Sequence, residues 1–318
     1  MRGKTKFKPP QRKRYNMERT TTWANIGTDV TNSTKIISGI PSDMIFDVRK
    51  EPMGYMDNGD FKRVKGTSTI VDEFGRAYGP VSDNYGIITN EEALSVIEYV
   101  DGFEMKKYGA LNNGMQFIIG SLGEMNILGD KFTPYLIFRN SFNGRYPLQM
   151  AICPLRIVCQ NQLNLAFREA DNTVNIRHTA KASSRIEEAH RIMLSTNDYL
   201  KELNKQAERY ATIKLSDADI TAIMKELFPI NDNMTDRQKR TVEDRIAQFN
   251  AAKHSADLSN FKGTVWGIIQ AYADFTTHQT IQRETKTAEE NRFMAVTFDP
   301  KMMANFMRIV NSRVGIAA

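Results

Sequence analysis

The chain has 318 residues, of which 41% are hydrophobic and 25% are charged, with 19 glycines and 10 prolines. This composition is typical of a globular protein, and it excludes collagen-like, low-complexity and mainly disordered classes. The net charge of +6 is unevenly placed, because residues 1–19 carry eight Lys or Arg against one Glu, whereas residues 20–318 sum to −1. We therefore predict that residues 1–19 form a disordered basic arm that is attracted to phosphate, with a solubilising tail as the alternative.

Residues 20–178 contain short apolar runs separated by turn signals, which predicts an α+β core rather than alternating βαβ units. The predicted strands, in chain order, are 45–52, 67–74, 76–89, 103–110, 114–123, 132–142 and 145–152. Asn113–Gly114 and Asn143–Gly144 supply the positive φ angles that tight hairpins require. The last four strands are therefore predicted to form an antiparallel β-meander.

Helices are predicted at two points of this core and along most of residues 179–318, a mainly helical region that packs on the core or on neighbouring subunits. Asn90 predicts the cap of a helix over 91–100, and Pro154 favours the first turn of a helix over 155–170. A seam spaced by threes and fours predicts one long helix, with intramolecular packing favoured over a coiled coil. The seam consists of Ile186, Ala189, Met193, Thr196, Leu200, Leu203, Ala207 and Tyr210. Further helices are predicted at 216–228, 235–253, 262–279 and 299–313.

Motif searches exclude several classes of protein. Gly3–Thr5 lacks the preceding strand and glycine loop of a phosphate-binding loop, so ATP hydrolysis is not expected. The four histidines are scattered and no zinc-finger spacing occurs, so we expect no cofactor and no metal bound through His or Cys. Cys153 and Cys159 are predicted to be buried thiols in a reducing compartment. No 18-residue apolar stretch and no signal-peptide pattern occur, which predicts no membrane association and a cytoplasmic location in a bacterial host cell.

A carboxylate metal site is the enzymatic alternative. Asp83 and the triplet Glu104–Lys106 mimic the acid, acid-x-Lys spacing with which nucleases hold Mg²⁺ beside a cation. Such triplets also arise by chance in a highly charged chain, as at Glu284–Lys286. We therefore predict that the protein is not an enzyme and keep a metal-dependent nuclease as the less favoured reading.

Basic residues are concentrated in the predicted meander and in the helices that follow it. Together with two amides they predict a surface for single-stranded DNA, made of Lys106, Lys107, Lys131, Arg139, Arg145, Arg156, Gln160, Asn161, Arg168, Arg177, His178, Lys181 and Arg185. The interleaved aromatic residues either stack on unpaired bases or, more commonly in strands, form the core. They are Tyr108, Phe117, Tyr135, Phe138, Phe142 and Tyr146.

Arg156, Gln160 and Asn161 fall in the opening turns of the helix predicted after Pro154. Free amides and the partial positive charge of a helix start favour binding of a phosphate or of a carboxylate from a neighbouring subunit. The alternative is an internal role, in which these side chains satisfy buried carbonyl groups.

Five segments carry a resemblance to a known family, and they occur in the order TTWANIG, YGPVSDNYGIITNEEAL, PLRIVCQNQLNLAF, NIRHT and FKGTVWGIIQAYADFTTH. They closely resemble the phage/plasmid-like protein family, a domain of unknown function common in phage and plasmid genomes, over residues 20 to about 290. The most specific piece is Arg156–Asn161, where the family shows Arg-Val-Val-Cys-x-Asn followed by Thr-Leu and this chain has Gln162–Leu163. The resemblance implies no established enzymatic role.

The order of a short meander and then helices is also similar, more distantly, to that of the phage single-strand annealing proteins. Those proteins assemble into rings or filaments that hold single-stranded DNA in a basic groove. The resemblance implies an ATP-independent protein of DNA recombination that binds and anneals single strands as a homo-oligomer, with a phage exonuclease or a single-strand binding protein as a further partner. The alternative is a non-catalytic phage protein that acts on a host or phage partner.

Overall fold

The computed structural model describes residues 26–111, 114–153, 173–278, 287–288, 290–291 and 301–316. The predictions for the arm and for the helix over 155–170 concern residues outside this described part. The strands are β1 (Thr28–Asp29), β2 (Ile36–Ile37), β3 (Ile40–Pro41), β4 (Val48–Asp57), β5 (Asp60–Asp72), β6 (Ala77–Ser82), β7 (Glu104–Ala110), β8 (Met115–Ser121), β9 (Met125–Ile127), β10 (Asp130–Phe132), β11 (Tyr135–Ser141), β12 (Leu148–Cys153) and β13 (Thr173–Ile176). The α-helices are α1 (Asn90–Leu94), α2 (Ile186–Leu194), α3 (Thr196–Thr212), α4 (Asp217–Leu227), α5 (Asp236–Lys253), α6 (Val265–His278) and α7 (Lys301–Val314). Antiparallel sheets thus precede a mainly helical C-terminal part, and the α+β prediction is confirmed.

The largest sheet has six strands in the order β1-β7-β8-β11-β12-β13, and each neighbouring pair is antiparallel. Strands β7, β8, β11 and β12 follow one another along the chain, which confirms the predicted meander. A small hairpin, β9 with β10, is inserted between β8 and β11. The turn from β11 to β12 contains Gly144 with φ 72°, the left-handed conformation that its predicted hairpin role requires.

A second sheet has three strands in the order β4-β5-β6. Its long hairpin turns at Asn58 and Gly59, whose φ angles are 53° and 91°. The strands predicted at 45–52 and 67–74 form only the base of this hairpin. Residues 53–66, which extend the two strands to the turn, were not predicted to be strands. We call residues 53–66 the ribbon, and each of them is exposed to solvent. The strand predicted over 76–89 is also shorter than expected, since it ends at Ser82.

Helix α1 begins one residue earlier than predicted, because Thr89 is its cap. The Thr89 hydroxyl oxygen accepts a hydrogen bond from the Glu92 N–H at 3.1 Å. Asn90 is buried instead, and its side-chain amide donates to the Met44 carbonyl oxygen at 2.9 Å. The α-helix ends at Leu94, and a 3-10 segment replaces the rest of the helix predicted over 91–100.

A second buried amide joins this helix to the central sheet. The side-chain amide of Asn140, on β11, donates to the carbonyl oxygen of Ile88 at 2.9 Å and to Oδ1 of Asn90 at 3.1 Å. Its own Oδ1 accepts the N–H of Ser141 at 2.9 Å. Hydrogen bonds therefore occupy both ends of the Asn140 amide in a site that water does not reach.

The seam over 186–210 forms two helices, not the single long helix that we predicted. Helix α2 ends at Leu194, and the hydroxyl of the next residue, Ser195, donates back to the Ile192 carbonyl oxygen at 2.7 Å before α3 begins at Thr196. Seven of the eight seam residues are buried and Leu200 is half-buried. They pack within the chain, since α2 contacts β13 and α3 contacts α6. The intramolecular reading of the seam is therefore correct.

The later helices lie at their predicted positions, although α6 begins at Val265, three residues after its predicted start. Two begin with capping boxes, Ser216 with Asp219 for α4 and Thr235 with Gln238 for α5. The helices and the six-stranded sheet share one buried cluster, in which the Trp266 ring lies 6.0 Å from that of Phe132. None of the helices in the described ranges combines the length and apolar character that a membrane crossing requires.

A smaller buried cluster joins the three-stranded sheet to the end of β11. It contains Ile70, Val81, Tyr85 and Phe142. The Phe142 ring packs edge-on against Phe46, with ring centroids 5.7 Å apart. This contact fixes the two sheets against each other where a cleft opens between them.

Candidate nucleic-acid interface

A cleft of about 800 Å³ lies between the three-stranded sheet and the β12–β13 side of the six-stranded sheet. Its wall is built from places far apart in the chain: the paired part of β5 and β6 around Thr67 and Ser82, Tyr85, the turn between β11 and β12, and Asn175 of β13 with the residues that follow this strand. Two exposed cations, Arg145 and Arg177, line the cleft, and no carboxylate occurs among the described residues that form it. The cleft is therefore a site of positive charge on a body whose net charge is close to zero.

The floor of the cleft is a contact between two segments that the sequence analysis singled out. Gly86 donates its N–H to the His178 carbonyl oxygen, and the His178 Nδ1–H donates to the Gly86 carbonyl oxygen, both at 3.2 Å. The imidazole stacks on the Tyr85 ring with centroids 4.9 Å apart and planes 17° from parallel. A β-carbon on Gly86 would lie 1.9 Å from the Thr179 carbonyl oxygen, so this approach requires glycine.

Burial sets the protonation states on this floor. It lowers the pKa of His178 to about 4, which keeps the ring neutral at physiological pH. Burial also raises the pKa of Tyr85, whose hydroxyl donates to the Ser141 carbonyl oxygen at 2.6 Å. The positive charge of the cleft therefore comes from arginine and not from histidine.

Arg145 is positioned by the turn that carries it. The Asn143 side-chain oxygen accepts the Arg145 N–H at 2.9 Å and the Ser141 hydroxyl at 2.5 Å. Gly144 lies between them with positive φ. The guanidinium extends from this ordered turn into solvent, and no acidic partner for it occurs in the described part of the chain.

A third arginine stands behind the cleft wall. The Arg139 guanidinium lies 5.0 Å from the centre of the Tyr146 ring, a cation–π geometry. Burial lowers the pKa of Arg139 to about 10, so it stays charged at neutral pH. Tyr146 is half-buried and lines the cleft, so one residue contributes both to the cleft wall and to the contact with Arg139.

The structure brings three of the predicted site residues into the cleft, namely Arg145, Arg177 and His178. Lys181 and Arg185 follow shortly after on the surface, where Arg185 pairs with Glu188 at 3.4 Å. Arg156, Gln160, Asn161 and Arg168 lie outside the described residues.

The remaining predicted cations are elsewhere and are already engaged. Lys107 is buried and pairs with Asp29 of β1 at 3.3 Å, because a bulge between Met105 and Lys107 turns its side chain away from solvent. Lys106 pairs with Glu104 on its own strand. Lys131 pairs with Glu124 across the β9–β10 hairpin at 3.0 Å. Arg139 is buried behind the cleft, as described above, and these four do not form one binding surface.

For most of the interleaved aromatic residues, the core role that the sequence analysis gave as the more common one is correct. Five of them belong to the core: Tyr108, Phe117, Tyr135, Phe138 and Phe142. Only Tyr146 of that set lines the cleft. Tyr85 and Asn175 also line the cleft and were not predicted. Both lie inside segments that carry the family resemblance, and their position in those segments is the sequence signal that could have identified them.

The proposed nuclease triad does not form a metal centre. Asp83 accepts the Ser68 hydroxyl at 2.5 Å and pairs with Arg63 at 3.1 Å, and the Ser68 hydrogen bond is the main reason that the pKa of Asp83 is lowered. Glu104 pairs with Lys106 instead. Across the described residues there is no group of three or more His, Cys, Asp or Glu side chains arranged to hold a metal ion.

The fold and the cleft define an α+β protein whose candidate site is a cationic groove between two antiparallel sheets. Residues 77–297 match the model of a family described as a domain of unknown function (DUF932), which covers more than half of the chain. The protein belongs to this family. The match indicates no enzymatic family, and no curated protein and no solved structure matches the chain.

Proposed function

We propose that the protein binds single-stranded DNA in the cleft and promotes the annealing of complementary strands without hydrolysing ATP. The observation that carries this proposal is the placement of Arg145 and Arg177, two exposed cations without a described acidic partner, beside the half-buried ring of Tyr146. Cations that hold the backbone and an aromatic surface beside them are the two elements of single-strand binding sites.

A protein that anneals two strands must contact their phosphates and leave the base edges free for pairing. Guanidinium groups serve this need because they form paired hydrogen bonds with phosphate oxygens and stay charged at every physiological pH. The proposal includes a bacteriophage origin and assembly of several copies into a ring or filament, since one cleft per chain holds only a short stretch of strand. A phage exonuclease or single-strand binding protein is the proposed further partner.

The test is a fluorescence anisotropy titration with a labelled single-stranded oligonucleotide, together with an annealing assay. The double variant Arg145→Ala/Arg177→Ala is expected to bind at least about tenfold more weakly, and to lose about 1.4 from the salt slope, since each phosphate contact contributes about 0.7 for single strands. Arg237→Ala/Arg240→Ala is the matched control, because it removes the same charge from exposed positions of α5.

Equal affinity of both double variants, each with wild-type salt dependence, would remove the cleft from the DNA-binding site. A wild-type protein whose mass by sedimentation stays that of a monomer with and without oligonucleotide would contradict the assembly part of the proposal. Loss of annealing with intact binding would instead show that pairing depends on contacts between copies.

A further inference from the structure

The ribbon carries a set of exposed aromatic and cationic side chains that the cleft does not explain. Tyr55 is 60% exposed and Phe61 is 53% exposed, although aromatic side chains of this size contribute most to stability when buried. Lys62, Arg63 and Lys65 lie beside them on β5. The large exposed surface rules out a role of these rings in the core of the described chain.

The register of the hairpin assigns the side chains to faces. Tyr55 pairs directly with Lys62, and Met56 pairs with Phe61, so each face of the ribbon has one aromatic ring. The Phe61 ring also lies over Gly54, where an added β-carbon would meet it at 2.5 Å. The ring is thereby held against the backbone with one surface toward solvent.

The ribbon is continuous with the cleft. Strand β5 leaves the ribbon at Gly66 and enters the cleft wall at Thr67, and both residues line the cleft. The base of the ribbon is fixed there, since Arg63 pairs with Asp83 at 3.1 Å and the Asp83 N–H donates to the Gly66 carbonyl oxygen at 3.1 Å. At about 3.4 Å per residue, the exposed strand extends about 20 Å from the cleft rim.

We infer that the ribbon is a second contact for the strand held in the cleft, where Tyr55 and Phe61 stack on unpaired bases while Lys62 and Lys65 hold its phosphates. This inference rests on the proposed function and names how the site continues beyond the cleft. The occupant is a nucleic acid because the ribbon combines aromatic surfaces with two exposed lysines, Lys62 and Lys65, that have no acidic partner among the described residues. Its two acids, Asp57 and Asp60, lie opposite each other next to the turn at the tip.

The experiment measures the affinity of ribbon variants for two single-stranded oligonucleotides, one of about 5 nucleotides and one of about 20, which lie near the lower end of and above the range of about 4–16 nucleotides that one OB-fold domain covers. Tyr55→Ala is expected to weaken binding of the long oligonucleotide at least about fivefold and to leave the short one unchanged, because a short strand fills the cleft alone. Lys62→Ala/Lys65→Ala is expected to lower the salt slope for the long strand by about 1.4. Phe74→Ala is the matched control, since Phe74 is 78% exposed in the turn between β5 and β6, outside the ribbon.

A crosslinking experiment on the wild-type protein supports or opposes the same inference without any substitution. Illumination of a long oligonucleotide that contains 5-iododeoxyuridine is expected to attach it to peptides that contain Tyr55 or Phe61. Thermal unfolding of each variant checks that the fold is intact.

The outcomes separate the inference from the proposed function. If the wild-type protein binds neither oligonucleotide, both are wrong. If the cleft variant loses binding while ribbon variants bind the long strand like the control and no ribbon peptide is crosslinked, the cleft function stands and the ribbon inference is overturned. If ribbon variants change only the sedimentation mass, the ribbon is a contact between copies of the chain, and the inference is again overturned.

Discussion

The six-stranded sheet and the ribbon are built from the same kinds of residue and treat them in opposite ways. In the sheet, aromatic and cationic side chains such as Phe117 and Lys107 are buried. In the ribbon, Tyr55, Phe61 and Lys62 are exposed on both faces. The difference shows that alternating aromatic and basic residues do not by themselves indicate a binding surface, because what covers the strand decides whether they bind or pack.

The comparison is tested most strongly by removing one ring from each region. Phe117→Ala is expected to lower the free energy of unfolding by about 3–5 kcal/mol, because the ring is fully buried and the cavity cannot close. Tyr55→Ala is expected to change it by less than about 0.5 kcal/mol. Urea denaturation of both variants measures this contrast, and a comparable loss for the two would show that the ribbon packs against another part of the protein.

A substitution at the junction of the two sheets is expected to have the next largest effect. Gly86→Ala places a β-carbon 1.9 Å from the Thr179 carbonyl oxygen, and relieving that clash should cost about 3 kcal/mol. Gly129→Ala is the control, since Gly129 has φ 90° but open space around it and should cost only about 1 kcal/mol of backbone strain. Chemical denaturation of the pair distinguishes a close approach from backbone strain, and equal losses would contradict the contact.

Arg139 and Arg177 were both predicted to bind DNA, but only Arg177 is exposed in the cleft, so their substitution compares a packing role with a binding role. Arg139→Ala is expected to cost about 2 kcal/mol, because its stem and guanidinium are buried against Tyr146. Arg177→Ala is expected to stay within about 0.5 kcal/mol of wild type and to lose affinity for single-stranded DNA. Urea denaturation and fluorescence anisotropy on the same preparations measure the stability and the DNA affinity of each variant. A stability loss for Arg177→Ala with an affinity loss only for Arg139→Ala would reverse the roles of the two residues.

The smallest expected effect concerns pH and the histidine on the cleft floor. The pKa of His178 is lowered to about 4 from the ordinary value of 6.5, so the unfolded chain takes up a proton first as the pH falls. The stability contributed by the neutral ring is complete above pH 6.5 and is lost progressively toward pH 4. Between pH 7 and pH 5.5 this loss should be about 1 kcal/mol relative to His178→Gln, measured by urea denaturation at each pH. Parallel pH curves for the two proteins would show that the ring is solvated.

Local signals predicted much of the fold. Asn143–Gly144 predicted one turn of the meander, and the helix starts predicted at 216 and 235 coincide with Ser216 and Thr235, which form capping boxes in the structure. Asn58–Gly59 is the same kind of signal and was overlooked, which is why the ribbon was missed. The break at Ser195 was not predictable from spacing, because the seam keeps its period across it.

The candidate site was much less predictable than the fold. Its members, Tyr85, Arg145 and Arg177, come from three distant segments that only the pairing of sheets brings together. The bulge that buries Lys107 and leaves Lys106 exposed leaves no mark in the sequence, since both positions are lysine. The position of a cation on a predicted strand does not show whether its side chain is exposed. The predicted set therefore contains cleft residues together with buried ones.

The buried amide of Asn140 has a consequence for how the sheet finds its alignment. A slip of β11 by one residue would move this side chain to the opposite face of the sheet, away from the Ile88 carbonyl and the Asn90 side chain. Apolar neighbours would tolerate such a slip, since one branched aliphatic residue replaces another at modest cost. An amide stripped of its hydrogen bonds would not, because its desolvation is no longer compensated. Asn140 thus specifies the register of β11, because it raises the free energy of misaligned strand pairings more than it lowers that of the correct pairing.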